Sequence, residues 1–298
     1  MSDAAAAPVD VAEAPRVGLS PFHASLRRFT ANHLAVVSSF VLLFIAFACF
    51  ISPFFFPFSA DDADFDNLSA PIDLLSAHVF GTDDLGRDLL VRVLVSGRVS
   101  LALGFFGALV SVLISVLYGA TAGYLGGRID DLMMRSVDIL LSVPFIFLAI
   151  VVNVMLGKNN TSLFIAVVVT LWLTPAVIAR GQAVSLRKRE FIEAAQAGGM
   201  TSFQIILRHI APNSVNVVIV YSSLLVLETI LTESFLSFLG LGVQPPAASW
   251  GTLIAEGAQK LETDPRVLLL PGAFLATVLF CLNYITDGLR DAFDPNER

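Results

Sequence analysis

Six apolar stretches, nearly free of charge, recur along this chain at 33–56, 99–124, 137–156, 162–179, 213–233 and 267–286. A hydrocarbon layer of about 30 Å takes about 20 helical residues, so each stretch is long enough to be read as a membrane span. The alternative, six buried helices of a soluble protein, leaves too little polar sequence to cover them. The pattern therefore predicts an all-α membrane protein with six transmembrane helices. Within the third and fourth stretches, Pro144 and Pro175 fall inside apolar helical runs, where a missing backbone donor predicts kinks that neighbouring helices must accommodate. The longest polar interval, about 57–98, contains GTDDLGRDLLVRVLVSGRVSL at 81–101. Thr82 suits an N-cap, Asp83 and Asp84 suit a helix N-terminus, and Leu85, Leu89 and Val93 share a face. That interval predicts an amphipathic helix lying on the membrane surface before the second span.

A second interval, EFIEAAQAGGMTSFQIILRHIAPN at 190–213, has the pattern of two short helices. Gly198-Gly199 can end the first, because glycine accepts the left-handed cap conformation. Thr201 or Ser202 can cap the second, with Phe203, Ile206, Leu207 and Ile210 on its buried face, and Pro212 is expected to stop it. Ala194, Ala195 and Ala197 keep the first helix thin enough to enter a groove, with Glu190 and Glu193 at the rim. Docking helix and plain connector both fit this spacing.

Composition agrees with a bilayer as solvent: of 298 residues 56% are hydrophobic and 14% charged, with mean hydropathy +0.78. The net charge of −7 matters less than where the cations fall. One set of alternating loops holds Arg16, Arg27, Arg28, Arg128, Arg135, Arg180, Arg187, Lys188, Arg189, Arg208, Arg290 and Arg298, and the other only Arg87, Arg92, Arg98, Lys158, Lys260 and Arg266. The excess of Lys and Arg on cytoplasmic loops places both termini and 180–212 in the cytoplasm. Cys49 and Cys281 lie in separate apolar spans, where packing is their ordinary role. The first 20 residues, rich in Ala and Pro, are read as a disordered tail and lack the basic start of a signal peptide.

Chemistry is sparse. GKNNTS at 157–162 lacks the full phosphate-loop spacing, so the chain is expected to hydrolyse no ATP and to bind no cofactor or metal. His23, His33, His78 and His209 show no metal-ligand spacing. Glu228 and Glu233, in or near the fifth span, are candidates for a solute pathway, since intramembrane acids normally face a polar interior; each also fits a capping or pairing role. Trp250 is a candidate for the exterior mouth or an interfacial anchor.

Glu193-Ala194-Ala195, followed by Gly199, resembles the signature of the integral membrane subunits of binding-protein-dependent ABC importers. At the end of that signature, where the general pattern has Ile-x-Leu-Pro, this chain keeps only Pro212, but RHIAPN at 208–213 is similar to the version in peptide and nickel permeases. The stretches 78–101, ESFLSFLGLGVQPPAASWGTLI (233–254) and DGLRDAFDP (287–295) resemble the C-type permease subunit of dipeptide, oligopeptide and nickel importers. The resemblance covers about 20–298 and implies the type I importer permease fold: a 1–20 tail, an N-terminal region 21–98 with the first helix, a permease core 99–290 and a cytoplasmic tail 291–298. It also implies a coupling helix, with Glu193, Ala194, Ala195, Gly198, Gly199 and Pro212 as ATPase-coupling residues. The implied partners are a homologous second permease, two cytoplasmic ATPase subunits that carry ATP and Mg, and an extracytoplasmic binding protein, in a bacterial plasma membrane. The implied function is import of di- or oligopeptides. A nickel permease, an ion-driven secondary transporter using Glu228 or Glu233, and a membrane scaffold remain open at this point.

Overall fold

The computed structural model describes residues 21–73, 76 and 78–293. The 1–20 tail and residues 294–298 lie outside the described residues, and the last helix runs on to Phe293. Twelve α-helices follow one another, with no strand among the described residues. They are α1 (Pro21–Ala31), α2 (His33–Ile51), α3 (Leu89–Leu125), α4 (Gly127–Ser142), α5 (Phe145–Met155), α6 (Asn160–Leu171), α7 (Leu173–Leu186), α8 (Glu190–Ala197), α9 (Ser202–Ile205), α10 (Ala211–Phe238), α11 (Trp250–Ala258) and α12 (Arg266–Phe293).

Among the described residues α2 with the turn that follows it, α3 and α12 are each long and apolar enough to cross a membrane unaided. Two further spans are broken. The helices α4 and α5 meet at 94°, and α6 and α7 at 41°. Both breaks follow from proline: Val143, forced into extended backbone by Pro144, ends α4. Pro175 is the third residue of α7, so its missing donor falls at the second break, where Ser115 Oγ donates to the Trp172 carbonyl (2.7 Å). The fifth stretch is carried by α10, which has 28 residues, about 42 Å at helical rise. The six expected stretches are thus present, two of them bent.

The second span begins earlier than a surface helix allows. Instead of a surface helix, 81–88 forms a hydrogen-bonded turn, and α3 starts at Leu89 with Asp88 capping Val91 N (2.8 Å). Leu89 and Val93 are buried while Leu85 is half exposed, so the three do not share an outer face. The reason is Asp83. Fully buried, it accepts from the backbone N–H of Leu85 and Arg87 (both 2.9 Å), from Arg87 Nε (2.8 Å) and from Arg92 Nη1 (2.8 Å). Arg92 Nη2 in turn donates to Glu256 of α11 (3.1 Å). Other clasps hold the 52–88 segment to the same end of the bundle. His78 bridges Asp64 (3.4 Å) and Asp88 (3.0 Å), and Arg266 Nη1 donates to the Ala70 carbonyl (2.8 Å). Lys260 donates to Asp84 and holds that carboxyl below the ordinary aspartate range. Removing one partner of a buried pair leaves a charge uncompensated, about 3–5 kcal/mol. Asp83→Ala is therefore expected to free the 57–88 segment, and limited proteolysis should show new cleavages there with the spans intact.

Three apolar cores lie along the bundle. At the 52–88 end, Ile45, Cys49, Val93, Ile230, Trp250 and Val278 join α2, α3, α10, α11 and α12. Beside it Ala149, Leu163, Val167, Leu236 and Val243 join α5, α6 and α10. At the opposite end Ala120, Tyr124, Ala183, Ile192, Ile205 and Ile210 join α3, α7, α8, α9 and the turn 206–210 that leads into α10. Cys49 and Cys281 are free and buried. One face of α2 (Phe40, Leu43, Phe44, Phe47) is exposed, as an outer span requires.

Candidate functional site

The 190–213 interval folds as two short helices on a knob at the end of α7. Gly199 has φ +80°, the left-handed conformation that glycine adopts without Cβ strain. Around it Met200 N donates to Ala195 O (3.1 Å) and Gly199 N to Gln196 O (3.0 Å), the crossed pair that closes a helix C-terminus. Gly198, at φ −72°, is the last turn rather than the left-handed residue. Thr201 then caps α9, its hydroxyl accepting from Gln204 N while Gln204 Oε1 accepts from Thr201 N.

Beyond α9 the register differs from the expected one. Residues Ile206–Ile210 form a wide π turn, with Ala211 N reaching Ile206 O, and this leads without a stop into α10. Pro212 sits in the first turn of α10, where a missing donor is tolerated. The extra residue in the turn rotates the buried face to Ile205, Ile206 and Ile210, leaving Phe203 and Leu207 exposed. Asn213 Nδ2 donates to the His209 carbonyl (2.6 Å), and Ser214 Oγ to that of Ile210 (2.8 Å).

The first helix is two-faced. Ile192 is completely buried between α3, α7 and the π turn, and Ala195 packs on the same core. Gln196 Nε2 donates to the Tyr124 hydroxyl at the end of α3 (3.0 Å). On the other side Glu190, Phe191, Glu193, Ala194 and Ala197 are exposed, Phe191 by 43% of its surface. Of the alanines, then, Ala194 and Ala197 face outward and Ala195 inward. Phe191, Gln196 and Tyr124 were not among the sequence candidates. A bulky aromatic beside two glutamates was the available signal for Phe191; nothing local marks the Gln196–Tyr124 pair, 72 residues apart.

The knob is fixed to the spans through close helix packing. Gly119 and Gly123 of α3 lie against α7, where an added Cβ would approach Ala176 O at 2.4 Å and Arg180 O at 2.5 Å respectively. Across that seam Arg180 pairs with Asp130 of α4, Nη2 to Oδ2 at 2.6 Å and Nε to Oδ1 at 3.0 Å. The α3–α7 seam and the Arg180–Asp130 pair thus pack α3, α4 and α7 closely beside α8.

At the other end, Glu233 and Trp250 are both completely buried inside this chain. Glu233 accepts from Ser237 (2.7 Å) and Ser100 (3.1 Å), and Ser100 Oγ also accepts from Trp250 N (3.1 Å). The Trp250 indole donates to the Val93 carbonyl (2.9 Å). These two residues hold the segment 239–258 against α3 and α10 from behind; neither presents a surface to solute. Glu228 alone of the three candidates is exposed, on the flank of α10. Among the described residues no group of three or more His, Cys, Asp or Glu side chains has metal-binding geometry.

Residues 98–298 match the family described as binding-protein-dependent transport system inner membrane component. Residues 20–71 match the N-terminal TM domain of oligopeptide transport permease C. The oligopeptide transport system permease protein OppC of Haemophilus influenzae is 48% identical over 281 residues, 94% of this chain and 90% of that one. OppC of Escherichia coli K12 is 50% identical, covering 94% and 93%. The dipeptide transport system permease protein DppC of Bacillus subtilis is 37% identical, covering 95% and 88%.

Proposed function

The chain belongs to the family of binding-protein-dependent transport system inner membrane components, and on that premise we propose that it is the C-type permease subunit of an ATP-driven importer of oligopeptides. Its own part is to open and close a route across the membrane. ATP and Mg are held by two separate ATPase subunits, and this chain binds no cofactor. A second, homologous permease completes the route, and a binding protein outside delivers the peptide. The knob end and both termini face the cytoplasm, in keeping with the excess of Lys and Arg on that side.

The observation that carries this reading is the two-faced α8. Its outward side, Phe191, Ala194 and Ala197 rimmed by Glu190 and Glu193, fits a groove on the ATPase. Its inward side, Ile192 and Gln196, is bonded to the spans. Closure of the ATPases on ATP shifts α8, and the shift passes through Tyr124 and the Gly119–Gly123 seam into α3, α7 and α10. Each ligand of the cycle must favour a different membrane state for this to drive transport. Transfer of the oligopeptide cargo from the OppC relatives rests on identity near one half over nearly the whole chain; the DppC relative keeps shorter peptides in view.

Glu228 lies on the exposed flank of α10. An acid facing lipid is costly, about 2.5–3.5 kcal/mol, so in the assembly this flank faces the second permease or the route between the two. There a carboxylate favours the peptide ammonium. Reconstituted with its partners in liposomes, the wild type is expected to accumulate peptide only with ATP. Glu228→Gln should lower that uptake by about tenfold, the worth of one charged contact, with subunit composition unchanged. Uptake that survives without ATP, or that follows a proton gradient and vanishes in Glu228→Gln, would replace this reading with an ion-driven transporter.

A further inference from the structure

A groove of about 380 Å³ opens on the outer surface of the bundle between α2, α3 and α6. Its walls are Phe50, Ala102, Leu103, Phe106 and Phe164, with Arg98 among them as its charged residue. Phe50 and Phe106 are 42% and 56% exposed, so the channel is open to whatever surrounds the chain.

Arg98 is unusual in two respects. It is the last charged residue before 99–125, a run with no charged side chain, which places it at the boundary between headgroups and hydrocarbon on the 52–88 side. Its guanidinium is also only partly used. Nε donates to the Cys49 carbonyl (2.7 Å), and the group stacks over the Phe54 ring at 4.8 Å. Among the described residues Arg98 enters no ion pair. Arg98 thus lines an apolar groove as a cation without an ion partner, and such a cation is complementary to an anionic oxygen. From Arg98 the groove runs along α3 to Phe106, about 12 Å of helix, toward the bilayer centre and without polar walls. One molecule has an anionic oxygen at headgroup depth and a flexible apolar chain extending inward.

We propose that this groove binds a phospholipid, its phosphate held by the Arg98 guanidinium and one acyl chain laid along Ala102, Leu103 and Phe106. Since Arg98 also tethers the end of α2 through Cys49 and Phe54, the lipid fixes the first span against α3. A helix of the second permease is the competing occupant. The apolar lining of the open groove below the cation favours an acyl chain, which has no backbone polar groups to satisfy.

The test is native mass spectrometry of the chain, purified in mild detergent with the subunits that accompany it. It is incubated in turn with phosphatidylglycerol, phosphatidylethanolamine, diacylglycerol of the same chains, and glycerol phosphate. The wild type should retain the phospholipids, retain diacylglycerol about tenfold less, as expected for loss of one charge-assisted contact, and not retain glycerol phosphate. Arg98→Gln should bring phospholipid retention down to the diacylglycerol level. Ala102→Trp, which fills the groove and leaves the cation in place, should also block retention, with accompanying subunits unchanged in both variants. Equal retention by wild type and both variants overturns the proposal. So does loss of a second permease from Arg98→Gln without change in lipid, which would make the groove a contact between proteins.

Discussion

Ala194→Trp is expected to abolish ATP-driven uptake while leaving the chain in the membrane at normal abundance. Ala194 is exposed on the outward side of α8, one turn from Phe191, and packs against nothing in this chain that a larger side chain would displace. An indole there prevents a thin helix from seating in a groove, and hot-spot contacts of this kind are worth about 2–4 kcal/mol, or about 30-fold or more in affinity. Ala195→Trp should behave differently: Ala195 packs on the core with Ile192 and Tyr124, so bulk there disturbs the fold and lowers abundance. Gly199→Asp falls between them. It places a side chain at φ +80° with open space around it, so it strains the end of α8 by about 1 kcal/mol without a clash. Uptake per molecule, with immunoblot abundance beside it, separates the three.

The second large effect belongs to the α3–α7 seam. Gly119→Val is expected to remove most of the chain from the membrane. Even the Cβ of the new residue would sit 2.4 Å from the Ala176 carbonyl oxygen and 2.7 Å from Ala179 Cβ, and helix backbone cannot retreat as a long side chain can. Overpacking costs about 1–3 kcal/mol where neighbours can move and more where they cannot, so abundance should fall several-fold. Gly181→Ala, on α7 itself, is the matched control. Its Cβ would meet nothing within 4 Å, and abundance should be unchanged. If Gly119→Val accumulated like Gly181→Ala, the close approach of α3 to α7 would be wrong.

The helical spans were legible because their signal is cumulative: an apolar stretch of 20 residues outweighs one proline or one acid. The breaks at Pro144 and Pro175 were legible too, though the angle of each depends on which neighbour packs into the bend. The start of α3 was not. Thr82, Asp83 and Asp84 have the composition of a helix N-terminus, but Asp83 satisfies its oxygens with Arg87 and Arg92, and Arg92 is oriented by Glu256, 164 residues away. Local propensity has no access to such a partner. The same holds for the buried face of 202–210, which keeps the expected Ile206 and Ile210 but takes Ile205 in place of Phe203 and Leu207 beside the π turn before Pro212. Glu233 and Trp250 were singled out as an acid and an aromatic in a greasy context. Their bonds to Ser100, Ser237 and Val93 give them the work of holding the segment 239–258 against α3 and α10. The seam glycines were not among the sequence candidates, although the spacing Gly119-x-x-x-Gly123 is the available signal for close helix approach.

The central claim is that α8 is where this chain receives force from ATPase subunits. The most direct measurement is a pull-down of tagged chain from mild detergent, with mass spectrometry of what accompanies it, comparing wild type with Ala194→Trp. The expected result is that wild type retains a second permease and ATPases, and that Ala194→Trp keeps the permease but loses the ATPases. Recovery of ATPases in equal amount with both chains, or with neither, would contradict the docking role of α8.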